Sequence, residues 1–129
     1  MPYAIEIDTT ARLVAIKVYG TFTAEDLMRA DDEMREHDNF DGEFYELLDF
    51  RAANTGDIGP DDLRDFMSRP VAFSPESRRA FVMANSFVAL GLGRMFKLLR
   101  DNAAGKIRVF TEMDEARRWL KLSGDDTAR

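Results

Sequence analysis

The sequence predicts an α/β fold. It is a single mixed five-stranded sheet, an N-terminal antiparallel hairpin followed by parallel strands, with four helices in the order β-β-α-β-α-β-α-β-α. Three observations predict it. Up to Gly20 two period-two apolar patterns are separated only by a short polar turn, the signature of a hairpin. Beyond Gly20, strand-like apolar runs alternate with segments of helical periodicity, and such alternation forces parallel pairing through right-handed crossovers. With 129 residues, 45% hydrophobic and 33% charged, the chain has the size and balance of one domain with its own core.

The elements follow in order. Tyr3, Ile5 and Ile7 alternate with Ala4, Glu6 and Asp8 in the first strand, Tyr3 to Asp8. The cluster Asp8-Thr9-Thr10-Ala11 reads as a turn. Arg12 to Tyr19 is the second strand, with Val14, Ile16 and Val18 on one face. Thr23 is placed as an N-cap with Asp26 as the acid of a capping box, opening a helix over Ala24 to His37. Leu27, Ala30 and Met34 form its narrow apolar stripe. Phe44 to Phe50 is the third strand, and the pair Leu47-Leu48 predicts cover on both faces. Arg51 to Gly59 reads as a loop of small and polar residues.

Pro60 opens a short helix, Asp61 to Arg69, with Leu63, Phe66 and Met67 inward, and Pro70 stops it. The apolar run Ala80 to Ala84 reads as the central strand. Asn85 or Ser86 caps the next helix, Phe87 to Asp101, which has a wide apolar face. Gly91 and Gly93 each weaken that helix by about 1 kcal/mol relative to Ala. Lys106 to Phe110 is the last strand. Thr111 caps a final helix that turns Met113, Ala116 and Leu120 to the core, with Trp119 beside them. The domain is expected to span 1–122, with Ser123 to Arg129 a frayed tail.

Composition removes several classes of function. The chain has no cysteine, so disulfides, thiol nucleophiles and Cys-based zinc sites are excluded. A single histidine, His37, argues against His-rich metal sites and Ser-His-Asp triads, and is expected to be a helix C-terminal dipole partner. A net charge of −6 argues against a nucleic-acid binder. The longest uncharged run, Ala80 to Gly93, falls short of the roughly 20 residues a membrane span requires. No basic-then-apolar leader is seen, and a cytoplasmic location is expected. Thr23 to Asp65 is strongly acidic and Phe66 to Arg129 net basic, which reads as two solvated faces. The acidic face Asp31, Asp32, Glu33, Glu36 lacks the loop of a calcium site. Gly91-x-Gly93 lies inside a helix and is not a nucleotide fingerprint.

Three stretches carry a family resemblance. Glu46-Leu47-Leu48-Asp49-Phe50-Arg51 is similar to a Leu-Asp-Leu strand end. Gly91-Leu92-Gly93-Arg94-Met95-Phe96 is the second. The third is Ile107-Arg108-Val109-Phe110 followed by Asp114-Glu115-Ala116-Arg117-Arg118-Trp119-Leu120. Together with the element order they make the chain resemble the SpoIIAA-like, STAS (STAS/SEC14-type) domains. The resemblance implies the SpoIIAA-like fold and a non-enzymatic, regulatory domain of a bacterial protein that binds a protein partner or a small ligand. Through the lipid-handling SEC14-type relatives it also implies an alternative, a pocket for a lipid or other apolar molecule bordered by Phe87 to Leu99. Anti-anti-sigma members of the family carry a phosphorylatable serine where the second helix starts. Here that stretch reads Asp57-Ile58-Gly59-Pro60-Asp61-Asp62, with acids and no hydroxyl, and Thr55 stands too early. No regulatory phosphorylation is therefore expected there.

The ligand- or partner-binding candidates are Asp49, Arg51, Thr55, Asn85, Ser86 and Arg94. The stretch holding Asp49, Arg51, Asn54, Thr55 and Asp57 and the Asn85-Ser86 cap lie beyond strand C-terminal ends, where open α/β sheets bind ligands. Asp49 and Arg51 can equally pair with each other and hold a loop. Arg94 stands among apolar neighbours, either as a snorkelling surface residue or as an anchor; if buried it needs a carboxylate, for which Asp49 is the candidate. No catalytic constellation, metal or cofactor is expected. A homodimer is expected, because the Phe87 to Leu99 helix carries more apolar residues than one face can hide; Phe87, Leu92 or Phe96 would be the surplus.

Overall fold

The computed structural model describes residues 2–101 and 106–122. Its elements are β1 (Tyr3–Asp8), β2 (Leu13–Thr21), α1 (Ala24–Glu36), β3 (Tyr45–Asn54), α2 (Pro60–Met67), β4 (Arg78–Val82), α3 (Phe87–Asp101), β5 (Lys106–Phe110) and α4 (Met113–Trp119). The order is the one the sequence predicts. The expected tail, 123–129, lies outside the described residues.

The sheet runs β1-β2-β3-β4-β5, with β1 and β2 antiparallel and all later pairs parallel. Neighbours in sequence are therefore neighbours in space. Three successive right-handed crossovers put α1, α2 and α3 on the same face of the sheet. There Val14, Ile16, Val18, Leu48, Phe50, Phe81 and Met83 meet Ala30, Met34, Leu63, Phe66 and Phe96. The chain returns across the other face as α4, whose Ala116 and Leu120 pack on Leu13, Leu47, Ala80, Val82 and Phe110. Strand alternation delivers these two sets, since successive side chains point to opposite faces.

Local chemistry shapes the joins. Asp8 Oδ1 accepts the N–H groups of Thr10 and Ala11, both at 2.9 Å, and so closes the hairpin. Thr23 and Asp26 form the capping box of α1. His37 is the C-cap of α1, and its Nδ1 accepts the Asn39 N–H at 3.0 Å.

Four expectations need correction. The middle strand is β3; the Phe81 strand is interior but lies between β3 and β5. That strand also starts and ends two residues early, at Arg78–Val82, because Arg79 pairs in register with Glu46. β3 continues to Asn54, so Arg51 to Asn54 is strand and not loop: β2 runs past Gly20 and offers ladder partners up to Thr21, opposite Asn54. Finally, Glu112 and not Thr111 occupies the N-cap of α4, with no side-chain cap bond.

Candidate functional site

The helix-covered face of the sheet is not filled to its edges. Between it and α1, α2 and α3 lies a cavity of about 60 Å³. β2 contributes Ile16 and Val18; β3 contributes Leu48 and Phe50; β4 contributes Phe81, with Met83 just past its end. α1 closes one side with Leu27, Ala30 and Met34, α2 another with Leu63 and Phe66, and α3 a third with Leu92, Gly93 and Phe96. Gly93 lets α3 come close: a Cβ there would lie 3.2 Å from both Met83 Cγ and Val109 Cγ1.

Three charged residues interrupt this hydrocarbon wall, namely Asp31, Glu46 and Arg79. Glu46 shares the strand parity of Leu48 and Phe50, and Arg79 that of Phe81 and Met83, so both face the helices. Arg79 Nε donates to Glu46 Oε1 at 2.8 Å, with side chains only 9% and 3% exposed. The guanidinium also lies over the rings of Phe73, Phe81 and Phe96, its carbon 4.7 to 6.0 Å from their centroids. Such a charge is tolerable inside because it is paired and faces aromatic surfaces.

Asp31 ties helices together. It accepts from Arg35 Nε at 2.7 Å along α1 and from Arg69 Nη1 at 2.9 Å beyond α2. Arg69 also reaches Asp32 at 2.7 Å, and Arg35 donates to the Pro70 carbonyl at 2.5 Å. These bonds to Asp32 and Asp31 hold the Arg69 guanidinium protonated more firmly than an isolated one. They anchor the exit of α2 to α1 beside the cavity.

The sequence-predicted candidates lie elsewhere. Asp49 faces away from the cavity, on the α4 side, with the parity of Leu47. Arg51 grips it through Nε at 3.0 Å and Nη2 at 2.9 Å, and the Arg51 N–H adds a third bond at 3.0 Å. Burial pushes the Asp49 carboxyl up, but the bonds and charge of Arg51, with Lys17, outweigh it and hold the group below the ordinary carboxylate value. Thr55 is buried just past β3, its carbonyl accepting the Ile58 N–H at 3.0 Å. Asn85 and Ser86 are exposed, and Ser86 Oγ accepts the Ala89 N–H at 3.2 Å as the cap of α3. Arg94 is exposed on α3 and makes no ion pair with a described residue; Asp49, committed to Arg51, is not its partner. Among the described residues no hydrogen bond or ion pair links Asn85, Ser86 or Arg94 to Asp49, Arg51 or Thr55.

The surplus apolar surface of α3 agrees with expectation at Phe87 and differs at Leu92 and Phe96. Phe96 is buried in the domain's own core, and Leu92 borders the cavity. Among the described residues, Phe87, Val88 and Leu98 are the large apolar side chains of α3 turned to solvent, 93%, 63% and 69% exposed. Among the described residues no group of three His, Cys, Asp or Glu is arranged to hold a metal ion, and no helix is long and apolar enough to cross a membrane.

Comparison with known proteins places this arrangement. No protein-family model matches the chain, and no curated protein does. A solved structure matches over nearly the whole length: an uncharacterised protein of the DUF3478 family, with a SpoIIAA-like fold, from Shewanella loihica PV-4. The two share 21% identity, cover 92% of this chain and 93% of that one, and superpose with a TM-score of 0.59. This chain has the SpoIIAA-like fold. In the SpoIIAA-like frame the cavity lies under the three crossover helices, and the Asp49–Arg51 pair lies on the opposite face.

Proposed function

We propose that this SpoIIAA-like chain is a non-catalytic binding domain that takes up a small, largely apolar molecule in the cavity beneath α1, α2 and α3. The observation that carries this reading is the cavity wall, made of aliphatic and aromatic side chains from all three helices and three strands. Apolar cavities bind apolar guests because the lining loses dispersion contacts when nothing fills it. A space of about 60 Å³ suits a small guest and not a long acyl tail.

Native mass spectrometry of protein purified without detergent tests the reading. The expected result is an adduct, either co-purified or gained on incubation with p-xylene, that disappears when the cavity is filled by Ala30→Leu. A bare chain mass under both conditions would count against it.

The exposed residues of α3 favour a second, compatible reading, a homodimer or partner contact through Phe87, Val88 and Leu98. Light scattering at micromolar concentration tests it. A dimer mass that falls to the monomer in Phe87→Ser supports the reading, and a monomeric mass in the parent protein rejects it.

A further inference from the structure

We infer that the cavity selects for a small amphiphile, a ring or short chain carrying one uncharged hydrogen-bonding head, and that Arg79 with Glu46 is the receptor for that head. The inference rests on the reading of the cavity as a binding site and goes beyond it by assigning the ligand's chemical class.

The buried ion pair is incomplete as a hydrogen-bonding unit. A guanidinium has five N–H donors. Arg79 uses one, on Nε, and among the described residues neither Nη nitrogen makes a hydrogen bond. Glu46 likewise accepts on Oε1, and no described residue donates to Oε2. The aromatic rings stabilise the cation but accept no ordinary hydrogen bond from its edge. Buried polar groups are otherwise almost always satisfied, so donors left free on a cavity wall mark the place of a small molecule or of water. A pure hydrocarbon filling the cavity leaves the Nη donors without a partner. A hydroxyl or amide supplies one, since one oxygen accepts from Nη and one hydrogen reaches Glu46.

Charge sets the second limit. Arg79 and Glu46 already neutralise each other, and Asp31 is matched by Arg35 and Arg69, with Asp32 balancing the second arginine. A carboxylate guest adds an unmatched negative charge to a largely apolar site, which costs far more than burying a neutral head. The receptor therefore accepts a phenol, alcohol or amide and discriminates against an acid in its ionised form.

Calorimetric titration of the parent protein with p-cresol, p-xylene and benzoate tests this. The expected ranking puts p-cresol at least level with p-xylene, although water holds the phenol more strongly, and benzoate weaker than p-cresol by about tenfold or more. In the double variant Arg79→Met/Glu46→Leu, which keeps the site neutral, the preference for p-cresol over p-xylene should fall by about tenfold. Arg79→Lys is the second variant: it keeps the charge pair but loses the planar second edge, and should lose the same preference. Tighter binding of p-xylene than p-cresol by the parent, or an unchanged preference in whichever variant folds, overturns the assignment of the head. Benzoate binding tighter than p-cresol overturns the neutral-head limit. Binding of none of the three overturns the apolar-cavity reading itself, an outcome distinct from the other two.

Discussion

Glu46 and Arg79 stand directly opposite each other in the register of β3 and β4, and this cross-strand pairing brings Arg79 Nε to 2.8 Å from Glu46 Oε1. Both side chains are buried, so removing one leaves the other as an uncompensated charge. Arg79→Met is expected to cost about 3–5 kcal/mol in urea unfolding, whereas Arg79→Met/Glu46→Leu should recover most of it, because a buried pair replaced by hydrocarbon is often neutral. A single variant as stable as the parent would show that solvent reaches the pair.

Tyr3 supplies a pH prediction on the alkaline side. Burial, and then the 2.5 Å bond to Glu33 with that residue's charge, pushes its hydroxyl up to about 12 from an ordinary 10.0. The folded state therefore holds the proton more tightly than the unfolded chain. Its stabilising contribution is full below pH 10 and is lost as pH rises toward 12, because the unfolded chain releases its proton first. Tyr3→Phe should remove this part of the alkaline slope in unfolding free energy. Ultraviolet titration should show a tyrosine ionising near 12 in the parent and none there in Tyr3→Phe.

The acid side has the opposite sign. The Asp49 carboxyl is held below its ordinary value of 3.8 by Arg51 and Lys17 against the effect of burial. That contribution is present above 3.8 and is lost as pH falls through the folded-state value. Asp49→Asn should lower stability at neutral pH, and its deficit against the parent should shrink as the solution becomes acidic. A deficit independent of pH would mean that shape, and not charge, is what Arg51 reads in Asp49.

The two glycines of α3 should part company. A Cβ at Gly91 meets nothing within 4 Å, whereas one at Gly93 meets Met83 and Val109 at 3.2 Å. Gly91→Ala should stabilise the protein by about 1 kcal/mol through helix propensity. Gly93→Ala should fall short of that by about 1 kcal/mol or more, since α3 must be displaced from the sheet. Thermal unfolding of both variants checks the difference.

Much of the architecture was legible because its signals are local. The Asp8 turn and the Thr23–Asp26 capping box each lie within a few residues of the element they start or stop. The sequence signal for β3 stops short for a non-local reason: Ala52, Ala53 and Asn54 carry no apolar alternation, and only the extension of β2 to Thr21 recruits them. The candidate site was hidden in the same way. Arg78-Arg79 looks like a charged flank outside a strand, yet counting back by twos from Met83 and Phe81 places Arg79 inward, and the same count from Leu48 places Glu46 inward. That the two meet across 33 positions follows only from sheet register. In the sequence Asp31 is indistinguishable from its acidic neighbours, because its partner Arg69 lies 38 residues away. Asp49 and Arg51, by contrast, are close in sequence and conspicuous, and the structure spends them on each other.

Intermolecular nuclear Overhauser transfer from p-cresol to the methyl groups of the protein tests the central claim most directly. The cavity account predicts transfer to the methyls of Met34 on α1, Leu63 on α2 and Met83 just past β4, all of which line this space. Transfer confined to Val88 and Leu98, on the exposed side of α3, would contradict it and place the binding surface outside the fold.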